Sequence, residues 1–171
     1  MPRPATPDQD AGMTVTTEQT STKAAREAVV RAHVEAENAH DVSATLASFT
    51  EANYDVVPLG APTNGARAVE ELLGSLFGAF PDFEAEMRSL HHGDDIIFAD
   101  VVMRGTHGGT WAGVPATGRR IEVRCGCVFH FDGPASPRRP STLTTPPCSL
   151  SSASPADQTQ KRHRHGNHSC L

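Results

Sequence analysis

Ile121-Glu122-Val123-Arg124-Cys125-Gly126-Cys127-Val128-Phe129-His130-Phe131 alternates without a break. In an extended chain Ile121, Val123, Cys125, Cys127, Phe129 and Phe131 share one face. Glu122, Arg124, Gly126, Val128 and His130 share the other. A period of two excludes a helix here and describes a strand with one face in a core. Asp132-Gly133 follows at once, a dipeptide suited to a tight hairpin turn, so a returning strand is expected after it.

Upstream the pattern repeats and then changes. Residues 95–105 carry Ile96-Ile97-Phe98 and Val101-Val102-Met103, a second long strand. Residues 83–90 alternate up to a turn at His91-His92-Gly93-Asp94. The glycine-rich stretch 105–118 is a connection. Before Pro81 the period lengthens: Val69, Leu72, Leu73, Leu76, Phe77 and Phe80 make one apolar helical stripe, which the proline stops. Residues 54–59 form a short strand, at an edge because of Pro58. Asp41 caps a helix over 42–49. Residues 22–38 form another, with Ala25, Ala28, Val29, Ala32 and Ala36 as its stripe and Ser21 or Thr22 as its cap. Helices first and antiparallel strands second predict an α+β fold, with the helices on one face of a meander.

Composition sharpens the limits of that fold. Only 37% of the 171 residues are hydrophobic, and the nine aromatics all lie between Phe49 and Phe131. Residues 134–171 hold Arg138, Arg139, Lys161, Arg162 and Arg164 against Asp157 alone. The tail is therefore +4 and the first 133 residues carry −9, for a net −5. Such a domain is no nucleic-acid binder built on a basic face. No run reaches the roughly 18 apolar residues of a membrane helix. Residues 1–20 read as a polar, disordered leader without a signal peptide, with Met13 a rival start to Met1. Cys125 and Cys127 have a spacing that suits packing on one strand face. With neither a disulfide framework nor zinc-type pairs, a cytoplasmic protein is expected.

After Gly133 the expected strand does not come. Residues 134–140 hold three prolines, and large aliphatic residues are nearly absent from there to Leu171. The plain reading is a disordered tail over 134–171, with the last strand missing. The sharper reading is a shifted frame. Back-translated and read one base earlier, residues 141–153 give a strand end and an apolar helical turn. Nucleotide sequence across codons 130–145 tests this.

Several blocks now resemble a known family. They are Gly105-Thr106-His107, Gly109, Trp111, Gly113-Val114-Pro115, Thr117-Gly118-Arg119-Arg120 and Phe129-His130-Phe131-Asp132-Gly133. Together with Asn38-Ala39-His40-Asp41 and Phe80-Pro81-Asp82, they resemble the SnoaL-like polyketide (ester) cyclases, of the cystatin-like, nuclear-transport-factor-like superfamily. The resemblance covers residues 24–133 and implies a cone-shaped domain over 21–133, with a pocket between a curved sheet and the helices. It implies an intramolecular aldol or proton-transfer reaction on a polyketide-like or other small hydrophobic molecule, without metal or cofactor. It also implies a homodimer, and it makes the last strand an interior one.

In that family an aspartate of the last strand is the acid/base, and a histidine on the preceding strand assists. His130 matches the histidine; a solvent-facing His130 is the plain alternative. The aspartate would fall near Thr144, which reads as Asp in the shifted frame, so the chain as written is expected to be inactive as an aldol cyclase. Asp100, between Phe98 and Val102, is the other candidate base, unless it pairs with Arg104 or Arg124 at the sheet surface. Phe98, Trp111, Val128 and His33 are candidate substrate contacts. His107 reads as a turn residue. His163, His165, His168 and Cys170 lack a fold to order them, so no metal site is expected. The rival to an enzyme is a non-catalytic ligand-binding or dimerisation module of the same fold.

Overall fold

The computed structural model describes residues 10–60, 62–132 and 142–145, side chains excepted at 10–18, 58 and 142–145. The first helix, α1 (Asp10–Asn38), starts well before the expected cap at Ser21 or Thr22. Part of the expected leader is therefore helical. No proline stands between Pro7 and Pro58 to interrupt it. Of the expected alanine stripe only Ala36 is buried. Arg26, Val30, His33, Val34 and Glu37 point inward, at helical spacing, while Ala28 and Ala32 are exposed. The inward face of α1 thus carries three ionisable residues. The rest of the expected leader, residues 1–9, lies outside the described residues.

Asp41 caps α2 (Val42–Ala47) as expected, its carboxylate accepting from the Ala44 amide at 2.9 Å. The third helix, α3 (Ala66–Ala79), buries Val69 and Leu73. Phe80 and Pro81 end it, and Phe80 folds back into the core.

Six strands form one sheet: β1 (Asn53–Val56), β2 (Thr63–Asn64), β3 (Glu84–His92), β4 (Ile96–Thr106), β5 (Arg120–His130) and β6 (Thr142–Thr145). Their order is β2-β1-β6-β5-β4-β3. The meander β3–β4–β5 is antiparallel throughout, with Ile97 opposite Phe129 and Val101 opposite Cys125. β1 is shorter than expected because Pro58 places the chain in a 3₁₀ turn, Val57–Leu59. These elements make the α+β fold that the pattern implied, in the cone form that the resemblance implied, helices against the inner face of a curved sheet.

The tail departs from expectation. A missing last strand was expected, yet Thr142–Thr145 lies inside the sheet, parallel to β1 and antiparallel to β5. Thr-Leu-Thr-Thr has the β-branched character of a strand, and Pro140 and Pro146, which cannot donate to a ladder, stand just beyond it. Leu143 is opposite Phe129 and Thr144 opposite Val128. The tail histidines and Cys170 lie outside the described residues. Among the described residues no helix is long and apolar enough to cross a membrane, and no three metal-ligating side chains gather.

Candidate functional site

The alternation of β5 divides the sheet into an inner and an outer surface. Inside, a cavity of about 440 Å³ lies between the sheet, α1 and α3. Ile121, Val123, Cys125, Cys127 and Phe129 form its floor, with Ala85, Val101 and Met103 beside them. Leu72, Leu73 and Leu76 of α3 face them across the space, and Trp111, Ala112 and Val114 line it from the loop between β4 and β5. The wall is mainly hydrocarbon.

Arg104 of β4 touches this wall, and polar groups enter it at two further places. The first is α1 with β1. His33, Glu37, Ser48 and Tyr54 are all buried and form one hydrogen-bonded cluster. The Ser48 hydroxyl donates to the Thr45 carbonyl at 2.6 Å, which leaves its oxygen to accept from His33 Nδ1 at 2.7 Å. Tyr54 Oη lies 2.9 Å from Glu37 Oε1 and 3.1 Å from His33 Nε2; the Nε2–Oε1 separation is 3.3 Å. Two proton arrangements satisfy these distances. In one, the tyrosine donates to a Glu37 carboxylate and accepts from His33 Nε2–H. In the other, a protonated Glu37 donates to the tyrosine, which donates to His33 Nε2. The phenol links the two.

Burial raises the Glu37 carboxyl, but the His33 charge and the hydrogen bonds from His33 and Tyr54 together outweigh it. The net position is below the ordinary carboxylate value. Burial first, then the Glu37 charge, push the Tyr54 phenol well above its ordinary value, so it stays protonated. Phe49 and Phe129 hold the His33 ring edge-on, at centroid distances of 5.0 and 5.3 Å.

The second polar place is His107. Its amide donates to the Arg119 carbonyl, and its own carbonyl accepts from Thr117 and Gly118, which fixes the loop. The ring stacks on Phe80 at 5.2 Å, and Nδ1 lies 3.1 Å from Thr117 Oγ1. His107 is buried and lines the cavity, yet Nε2 has no hydrogen-bond partner.

The residues chosen from the sequence divide sharply. His33 and Trp111 line the cavity. His130, Asp100, Phe98 and Val128 do not. They follow the outer phase of the alternation, where Phe98 is 37% exposed and the ring stands over Gly126. Asp100 is bound by Arg124 through two hydrogen bonds, at 2.9 and 2.6 Å, which hold its carboxyl below the ordinary value. Arg104, the other partner considered, bonds Glu86 and Glu122 instead. The reason is geometric: in a cone the pocket lies on the apolar side of the strand, so the polar members of β5 face away. Glu37, Tyr54 and His107 were missed. The i, i+4 pair of His33 and Glu37 was the available signal for the first of them.

A family model for SnoaL-like polyketide cyclases matches residues 27–133. The chain belongs to this family. The match spans the cavity's elements from α1 to the end of β5. Three solved structures, among them AclR, described as a hydroxylase, superpose on most of the chain. AclR from Streptomyces galilaeus is 21% identical, with a TM-score of 0.59 over 75% of this chain and 81% of that one. SalBIII, an epoxide hydrolase/cyclase-like enzyme of pyran ring formation in salinomycin, is 19% identical, with a TM-score of 0.58 over 74% and 92%. IdmH from Streptomyces antibioticus is 19% identical, with a TM-score of 0.56 over 71% and 90%. At these identities the likeness is one of fold. A search of curated protein sequences finds no match.

Proposed function

We propose that this SnoaL-like chain is a cofactor-independent cyclase or isomerase of a small, hydrophobic, polyketide-like substrate, and that His33, Glu37 and Tyr54 supply its acid–base group. The carrying observation is the buried cluster in the wall of an otherwise apolar cavity. Glu37 removes a proton from a carbon next to a carbonyl, and the electron pair moves onto the carbonyl oxygen as an enolate. In an isomerase the proton returns at another carbon. In an aldol cyclase the enolate carbon bonds to a second carbonyl of the same molecule, and the proton goes to the new alkoxide. A ligand that fills the cavity expels water, which raises the proton affinity of the carboxylate when the C–H bond is nearest. Tyr54 and His33 hold the charge meanwhile. Trp111 and His33 are the ligand contacts in this reading.

The second reading, a non-catalytic ligand-binding module, is favoured by the residue at position 144. It is a threonine where the family resemblance calls for an aspartate. If the tail is frame-shifted, restoring the frame supplies that carboxylate as well. A cytoplasmic homodimer belongs to both readings.

Hydrogen–deuterium exchange at the acidic carbon of a cyclic β-keto ester tests the enzyme reading. The wild type should exchange it faster than buffer, and Glu37→Gln should lose about 100-fold or more of that rate, the usual range for a positioned acid–base group. A folded wild-type protein with no exchange above buffer leaves only the binding module.

A further inference from the structure

A buried histidine normally spends both ring nitrogens, because an orphaned polar atom costs free energy that nothing repays. His107 spends one. It is 8% exposed, its ring packed on Phe80, and its Nε2 has no partner although it stands in a cavity wall. The neighbours of Nδ1 fit a tautomer with the ring hydrogen on Nε2. The Arg119 amide points at Thr117 Oγ1 from 3.4 Å, so that oxygen is already an acceptor. In that tautomer the hydroxyl hydrogen of Thr117 donates to His107 Nδ1, 3.1 Å away. An accepting Nδ1 places the ring hydrogen on Nε2.

We infer that His107 Nε2–H is the oxygen-recognition point of the cavity, donating to a carbonyl or enolate oxygen of the ligand. This rests on the proposed ligand cavity but not on its chemistry. The loop carries the donor rigidly. Three backbone hydrogen bonds tie His107 to 117–119, and the Gly108 and Gly109 amides both donate to the Ala79 carbonyl at the end of α3. A donor fixed in this way needs no reorganisation when charge develops on the oxygen it faces. The ligand class is therefore an apolar ring or chain with a ketone-type oxygen, not a pure hydrocarbon and not a molecule charged throughout. The Glu37 cluster lies on the α1 side of the same cavity, so the recognised oxygen and the proton acceptor approach the ligand from different walls.

Binding of 2-tetralone and of tetralin, the same bicycle without the ketone, tests this by calorimetry. After correction for their partitioning from water, the wild type should prefer the ketone about tenfold, equivalent to about 1.4 kcal/mol. His107→Phe keeps a ring against Phe80 without the donor. It should bind tetralin as before and lose the preference, while His107→Gln should recover part of it. The carbonyl stretch of bound 2-tetralone should lie lower in the wild type than in His107→Phe, a shift that altered packing alone does not produce. An undiminished preference in folded His107→Phe, or a ketone stretch that the wild type leaves at its value in an apolar solvent, overturns the inference. If His107→Phe does not fold, the wild-type stretch decides. Failure of both ligands to bind removes the cavity reading and this inference with it. Ketone preference without any proton exchange removes only the enzyme.

Discussion

The two faces of β5 have the same length, the same backbone and neighbours from the same strands, yet they do opposite work. On the inner face Cys125, Cys127 and Phe129 are buried and form the floor of the cavity. On the outer face Arg124 reaches Asp100 across the ladder, and Arg104 of β4 reaches Glu122 and Glu86. Ionisable residues are concentrated outside, where water screens them and ion pairs contribute little. Arg104 of β4 also touches the cavity; the other ionisable residues inside come from α1, β1 and the loop before β5, and each is held by packing or by hydrogen bonds. Chemistry in this fold is thus brought to the sheet by the elements that cover it.

The largest test of that division is Phe129→Ala. Phe129 is 1% exposed, supports the His33 ring and faces the cavity. Its truncation should cost about 3–5 kcal/mol in denaturant unfolding, and it should also release His33. His130→Ala, one residue on, should leave both stability and exchange close to wild type. A comparable loss at both positions would break the two-face description.

Gly109→Ala comes next and sharpens the role of the covering loop. A Cβ there would stand 2.5 Å from the Gly78 carbonyl oxygen and 3.0 Å from the Ala79 Cα, both backbone atoms that cannot swing aside. The loop must shift and take His107 and Trp111 with it. A displacement of about 1 Å can cost about 100-fold in a positioned reaction. A large fall in exchange rate is therefore expected, with a smaller fall in melting temperature.

Glu37→Gln separates the inner carboxylate from those outside. The folded-state carboxyl lies below its ordinary value. Its stabilisation is therefore present above the unfolded-state value and is lost as pH falls through the folded one. The ion-paired or hydrogen-bonded carboxylates Asp82, Glu86 and Asp100, outside the cavity, are lowered too, so the wild type should lose melting temperature as pH is taken from 7 toward 3. Glu37→Gln should show a shallower acid limb, because it lacks the one buried member that faces His33 and Tyr54. Parallel limbs in a pH series of thermal melts would place Glu37 among the screened surface groups.

Much of this was legible in the chain. The switch of period at Pro81 located the α3-to-sheet boundary, and the alternation at 121–131 placed β5 and named its buried members. Alternation does not say which side of a strand encloses a pocket. The family resemblance pointed to His130, and a place between Phe98 and Val102 pointed to Asp100; the cone geometry turns both outward. In α1 the alanines concealed the working face. Alanine tolerates burial and exposure alike, whereas Val30 and Val34 mark the inward side and draw Arg26, His33 and Glu37 with them. The orphaned nitrogen of His107 has no sequence signature at all. It depends on Phe80 and on the loop's hydrogen bonds to Ala79, contacts made only once α3 and the sheet have docked.

The smallest expected effect is at the outer pair itself. Arg124 is largely solvent-exposed whereas Asp100 is mostly covered, so their two short hydrogen bonds compete with water on the arginine's side. Arg124→Ala should lower the melting temperature slightly, and less in high salt, since screening already weakens the pair. Exchange on the β-keto ester should not change, because the sheet backbone separates Asp100 from the cavity floor. Asp100 freed of its arginine becomes the more basic carboxylate. If it served as the base, Arg124→Ala would raise the exchange rate or shift its pH profile upward. An unaltered profile, beside the loss in Glu37→Gln, would assign the proton chemistry to the helix side of the cone.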